Sequence, residues 1–120
     1  MKILIAEDDD INRELIKEVL SSIGYEVIDV CDGVELIKIA IESKPDLIIT
    51  DIQMPNMRGD TMISMIEEYE VLASTPIIVM TGMPENEFKK LGVSKDINVL
   101  FKPVDIDKLK ELVSKFFRVR

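Results

Sequence analysis

Five strand-length segments, four of them apolar runs, alternate along this chain with segments whose apolar residues recur at helical spacing. That alternation leaves few folds open. Lys2–Ala6, residues 47–50, residues 76–80 and Asn98–Phe101 read as strands, and Glu26–Val30 alternates apolar with acidic residues as an edge strand does. Ile11, Leu15, Ile16, Val19, Leu20 and Ile23 mark a first helix, stopped by Gly24. Val34, Ile37, Ala40 and Ile41 mark a second, ended near Pro45, and Met62, Ile63, Met65 and Ile66 a third. Residues 85–91 form a short fourth candidate, closed by Gly92. Ile106, Leu109, Leu112, Val113, Phe116 and Phe117 mark the last, with Asp105 placed as its N-cap. Strand–helix–strand units cross over right-handedly into a parallel sheet. The first, third and fourth runs suit strands buried on both faces. One α/β domain over residues 1–120, with strand order 2-1-3-4-5, meets these constraints.

Ligands of such sheets bind beyond the carboxyl ends of the strands, where strands one and three part. Acids fall at those two ends: Glu7 and Asp8 follow the first run, and Asp51 follows the third. Packed carboxylates repel one another unless a cation sits among them, and an oxygen-only set suits a hard divalent ion. Within Glu7-Asp8-Asp9-Asp10, either Asp9 or Asp10 caps the helix that begins at Ile11, which leaves Glu7 and Asp8 for a metal.

Asp51 heads the segment Asp51-Ile52-Gln53-Met54-Pro55. A carboxylate there can attack phosphorus and form an aspartyl phosphate; the alternative is a strand-end Asp satisfied by local amides. Met54-Pro55 turns the chain and can aim the Gln53 carbonyl at a metal, and Gly59 fits a loop that needs an unusual backbone angle. Thr81 ends the fourth strand and Lys102 the fifth. Taken singly, Thr81 reads as an ordinary strand-end residue and Lys102 as solvated surface. Taken together, the acid pair, Asp51, Thr81 and Lys102 supply a nucleophile, a cation site and donors for equatorial oxygens, which is what phosphoryl transfer requires.

Composition removes other chemistries. With 15 basic residues against 23 acidic ones and a net charge of −8, the chain lacks the cationic surface that direct nucleic-acid binding uses. It has no histidine, which excludes Ser-His and Cys-His catalysis, His-ligated zinc and a histidine phosphocarrier. The single Cys31 reads as a small core residue. Met54, Met57, Met62, Met65, Met80 and Met83 read as core filler. No leader or membrane-length run stands out, so a cytoplasmic chain with no membrane partner is expected.

Over its whole length the chain resembles the receiver domain of bacterial two-component response regulators. The matching residues are Glu7-Asp8, Asp51 with Met54-Pro55 and Gly59, Thr81 with Gly82, and Lys102-Pro103. The separations also match: 43 residues from Asp8 to Asp51, 30 from Asp51 to Thr81 and 21 from Thr81 to Lys102. Receivers are themselves a standard instance of the 2-1-3-4-5 order, so order and resemblance are one line of support and not two.

The resemblance implies a (βα)5 flavodoxin-like three-layer sandwich. It implies that Asp51 takes a phosphoryl group from a phosphohistidine on a sensor histidine kinase or histidine phosphotransfer protein. That partner would dock beside the crevice, against the first helix and the loop after Lys102. Mg²⁺, or Mn²⁺, would be held by Asp8, Asp51 and the Gln53 carbonyl, with Glu7 acting directly or through water. Lys102 would pair with Asp51 or the phosphoryl oxygens. Thr81 would turn toward the phosphoryl group and relay the change to the surface near the fifth strand, where a downstream protein binds. Such a chain is no conventional enzyme, since it catalyses only its own phosphorylation and dephosphorylation. Gln53 and Met83 would flank the site entrance.

Two departures stand out. Val99 occupies the position where the family usually carries Tyr or Phe, with Phe101 offset by two, so that Phe101 packs into the core or elsewhere. The fourth helix is short, and Ser94-Lys95-Asp96 replaces a small-residue turn. Asn12-Arg13 resembles receivers attached to hybrid kinases, whereas Met1 directly before the first strand suits a stand-alone regulator or phosphorelay intermediate. Three other readings compete. A degenerate receiver acting only as a protein-binding module is disfavoured by the retained site residues. An aspartyl-nucleophile phosphatase usually needs a second acid where Gln53 stands. A flavin phosphate would be repelled by the acidic first turn.

Overall fold

A computed structural model describes residues 1–54, 56–93 and 97–117. The turn expected at Pro55 and the Ser94-Lys95-Asp96 departure therefore lie outside the described residues. In chain order the elements are β1 (Lys2–Ala6), α1 (Asp10–Ile23), β2 (Glu26–Val30), α2 (Gly33–Ser43), β3 (Leu47–Asp51), β4 (Gln53–Met54), β5 (Met57–Arg58), α3 (Gly59–Glu68), β6 (Ile77–Thr81), α4 (Glu85–Lys89), β7 (Asn98–Phe101) and α5 (Ile106–Phe116). All pairings in the five-stranded sheet are parallel, and its order is β2-β1-β3-β6-β7. Counting those five strands alone, this is the expected 2-1-3-4-5. The remaining strands, β4 and β5, form a small antiparallel hairpin between β3 and α3.

Alternation along each strand sends side chains to two separate cores. Ile3, Ile5, Ile49, Ile78 and Met80 pack with Ile16 and Leu20 of α1 and Leu109 and Val113 of α5. Leu4, Ala6, Ile48 and Val79 face the other way, onto Leu36 and Ala40 of α2, Met62 and Ile66 of α3 and Phe88 of α4. The result is three layers, with α1 and α5 on one face and α2, α3 and α4 on the other. Every residue of β3 and β6 is buried, as is all of β1 after Lys2, which explains their unbroken apolar character.

Local chemistry sets the helix ends. Asp9 caps α1 by accepting from the Ile11 and Asn12 amides, which decides between the two cap candidates. Asp32 caps α2 through the Glu35 amide and Asp105 caps α5 through Asp107 and Lys108. Gly24 ends α1 at φ 113°, a left-handed angle that other residues adopt only with strain.

Three details correct the expectations. Cys31 is exposed, because it lies just past the end of the edge strand β2, where no layer covers it. Gly59 is not among the residues with positive φ; Asn56, at φ 72°, takes the left-handed position in the hairpin. What Gly59 supplies is space, since a Cβ there would sit 2.5 Å from the Ile52 Cα and meet the Ile52 side chain and carbonyl as well. α4 is shorter than expected, with Lys90 as its C-cap. Of the methionines, Met62 and Met80 are fully buried, while Met54, Met57, Met65 and Met83 pack partly buried against the α2–α4 side.

Candidate functional site

The sheet register pairs Ala6 with Thr50, Asp51 with Met80, and Thr81 with Phe101. Glu7, Asp51, Thr81 and Lys102 therefore leave the sheet along one edge. Carboxylate oxygens of Glu7, Asp8 and Asp51 all lie within 4.8 Å of one another. Glu7 and Asp51 are buried and Asp8 is exposed, so the cluster opens to solvent at Asp8.

Lys102 binds the two buried members of this cluster. Its ammonium donates to Glu7 Oε1 at 2.6 Å and to Asp51 Oδ2 at 2.5 Å. The side chain is only 25% exposed, so the solvated-surface reading that Lys102 invites in isolation is overturned. The other Asp51 oxygen, Oδ1, accepts the Gln53 amide at 2.8 Å. Asp51 is thus satisfied both by a local amide and by a distant cation. Thr81 is fully buried, and its Oγ1 accepts the Met83 amide at 3.0 Å. Its carbonyl accepts the Lys102 amide at 2.7 Å, which ties the ends of β6 and β7 together.

The electrostatics are uneven. Three carboxylates against one ammonium leave an excess of two negative charges, two of the three acids being out of water. Burial pushes the Glu7 carboxyl above its ordinary value of 4.5, opposed by the hydrogen bond from Lys102 and reinforced by the Asp51 charge. A raised carboxyl contributes stability that is fully present below pH 4.5 and is lost as pH rises through the raised value. Burial depresses Lys102, but its hydrogen bonds to Asp51 and Glu7 win and hold it above 10.5. It is a full cation at neutral pH, and its contribution fades only as pH climbs through that raised value.

Oxygen-only donors, their convergence and the surplus of two charges fit a hard divalent cation. Cys31, Asp32 and Glu35 make a second grouping of comparable spread. None of its members is buried, and Asp32 is occupied in capping α2, so it does not compete. Gln53 is exposed, and it shares with Met83 the lining of an open groove of about 410 Å³ at the hairpin. A second groove, of about 450 Å³, runs from Glu7 and Lys102 over Asn12, Leu15, Pro103 and Ile106.

On the neighbouring face, Val99 is half-buried against the α2–α4 core. Phe101 does not enter the core: it is 37% exposed and meets the Phe88 ring edge-on, at 6.1 Å between centroids. The Asn12-Arg13 pair carries a family resemblance in the sequence, but nothing in it gives Arg13 a place in the site. Its guanidinium reaches back from α1 to the Glu7 carbonyl at 2.9 Å. A further signal is its place a single turn after the acid run.

Comparison with known proteins agrees with this geometry. The model of the response regulator receiver domain matches residues 3–114. The sensor protein EvgS of Escherichia coli is 36% identical over 120 residues; the alignment takes in 99% of this chain but 10% of EvgS, so the chain spans about a tenth of that relative. The polar-differentiation response regulator DivK of Brucella anthropi is 27% identical and is matched over 94% of its length, by 95% of this chain. The structure of the chemotaxis response regulator CheY4 of Vibrio cholerae superposes with a TM-score of 0.87 at 28% identity, covering 96% of this chain and 97% of that one. The chain belongs to the response regulator receiver domain family of two-component signalling.

Proposed function

We propose that residues 1–120 act as one phosphoacceptor switch, with Asp51 as the acceptor. The carrying observation is the buried Asp51 carboxylate, gripped by Lys102 and flanked by two further acids that one ammonium cannot neutralise. Mg²⁺, with Mn²⁺ as a substitute, would be held by Asp8, Asp51, the Gln53 carbonyl and Glu7. When bound, the ion supplies positive charge against the phosphoryl oxygens. In the transfer, an Asp51 carboxylate oxygen forms a bond to phosphorus as the donor's P–N bond breaks, and that electron pair returns to the donor imidazole. Lys102 stands ready to follow the new negative charge from carboxylate to phosphoryl oxygen. The donor would be a sensor histidine kinase or histidine phosphotransfer protein. It would seat against α1 and the loop after Lys102, where the 450 Å³ groove lies open beside the crevice.

Thr81 is the relay in this reading. Its hydroxyl holds the Met83 amide, so a Thr81 that swings toward a phosphoryl oxygen draws residues 82 and 83 with it. The β7 face answers through Phe101 and Phe88 and not through an aromatic at position 99. A downstream protein would read that face. Among the described residues no helix is long and apolar enough to cross a membrane, and a cytoplasmic setting is the one in which such a switch meets its kinase.

Acetyl phosphate with Mg²⁺ should add one phosphoryl group by intact mass. An unchanged mass under those conditions would favour a receiver that only binds partners, and steady turnover of phosphate esters would favour a phosphatase. The raised Glu7 carboxyl adds a pH signature. Mg²⁺ must compete with a proton at Glu7, so its affinity should rise as pH increases from 4.5 through the raised value. Calorimetric titrations at stepped pH check this, and a flat profile would remove Glu7 from the cation site.

A further inference from the structure

We propose that Arg13 is a positioning residue, which fixes the acidic tip of β1 in the orientation that receives the divalent cation. The inference rests on reading Glu7, Asp8 and Asp51 as a cation site. Arg13 sits one turn into α1 and uses three edges of its guanidinium. Nη1 donates to the Glu7 carbonyl at 2.9 Å, Nε to Asp29 Oδ2 at 3.3 Å and Nη2 to Asp10 Oδ1 at 2.6 Å. The Asp10 carboxylate is 86% exposed, and that pair contributes little. The other two contacts are half-buried, with Arg13 18% and Asp29 24% exposed at their side chains.

Asp29 is built to hold the guanidinium. It lies on β2 opposite Ile5, two residues before Glu7, and its second oxygen takes the Lys17 ammonium at 2.9 Å. The Glu7 backbone is consequently gripped at both ends. Its amide donates to the Val30 carbonyl at 3.2 Å, and its carbonyl accepts from Arg13. That carbonyl belongs to the peptide joining Glu7 to Asp8. Fixing this peptide plane fixes the directions in which both acid side chains depart. A planar fork serves a carbonyl and a carboxylate at once in a fixed geometry, whereas a lysine ammonium is a point charge on a flexible stem that does not reproduce that fork.

Charge alone predicts the opposite behaviour. Were Arg13 only a nearby cation, its removal would strengthen cation binding and its replacement by lysine would change nothing. As a positioning residue it should weaken binding in both cases, on the ten-fold scale typical of groups that orient metal ligands. The test is calorimetric titration of Mg²⁺ into the unphosphorylated full chain. Arg13→Ala and Arg13→Lys should each weaken Mg²⁺ binding roughly ten-fold. Val113→Ala, which loosens a buried position on α5, should keep the wild-type Kd. If Arg13→Ala does not fold, Arg13→Lys decides alone. A wild-type Kd in Arg13→Lys, tighter binding in Arg13→Ala, or equal weakening in Val113→Ala would overturn the inference. Failure of the wild-type chain to bind Mg²⁺ would instead overturn the cation-site reading, and this inference with it.

Discussion

Lys102→Met is expected to destabilise the metal-free protein by about 2–3 kcal/mol at pH 7, somewhat below the loss for a fully buried pair because Lys102 keeps some contact with water. The change strands two buried carboxylates, Glu7 and Asp51, without their shared cation. The loss should shrink as pH falls, since protonated carboxyls no longer repel. Added Mg²⁺ should restore stability, because a divalent ion then does the neutralising that the ammonium did. Removing a competing positive charge should also tighten Mg²⁺ binding, roughly ten-fold or more, which is about 1.4 kcal/mol. Urea denaturation at two pH values, with and without Mg²⁺, reads all of this. A variant as stable as the wild type without metal, and indifferent to Mg²⁺, would show that the bridge is not what holds the crevice together.

The second large effect is expected at Gly59. In Gly59→Ala the new methyl group would meet the Ile52 backbone, so Ile52 and the start of α3 must separate. That separation stretches the Gly59 amide to Ile52 carbonyl hydrogen bond, now 3.0 Å. Overpacking of this kind costs about 1–3 kcal/mol. Ile52 stands between Asp51 and Gln53, so the displaced backbone also disturbs the amide that orients Asp51 Oδ1. The denaturation midpoint should drop and acetyl phosphate labelling should slow together. An alanine variant with wild-type stability would mean that the contact relaxes at no cost.

Much of this was legible in the residues. Strand-length apolar runs located β1, β3, β6 and β7, the first three because coverage on both faces favours apolar residues, and apolar–acidic alternation located the edge strand β2. Glu7, Asp8, Asp51, Thr81 and Lys102 stood out because each follows or ends such a run, and a parallel sheet places those ends along one edge. Other features were hidden for physical reasons. Lys102 reads as surface until the register brings two buried acids within reach of its ammonium. Gly59 supplies room and not a positive φ, and a close backbone approach leaves no mark in sequence that distinguishes the two needs. The left-handed residue was Asn56, inside a hairpin too short to show any periodicity. Cys31 is a residue type that favours burial, and only the position of β2 at the sheet edge exposes it. The contact of Arg13 with the site leaves no sequence mark, because its partner at Glu7 is a backbone carbonyl and every residue has one.

The position of the phosphoryl group tests most directly whether Asp51 is the acceptor. After incubation with acetyl phosphate and Mg²⁺, borohydride reduces an aspartyl phosphate to a homoserine that peptide mass analysis can locate. The reduced residue is expected at position 51 alone, and Asp51→Asn should gain no phosphoryl mass. A phosphoryl group found on a hydroxyl side chain, or a full mass gain surviving in Asp51→Asn, would contradict it.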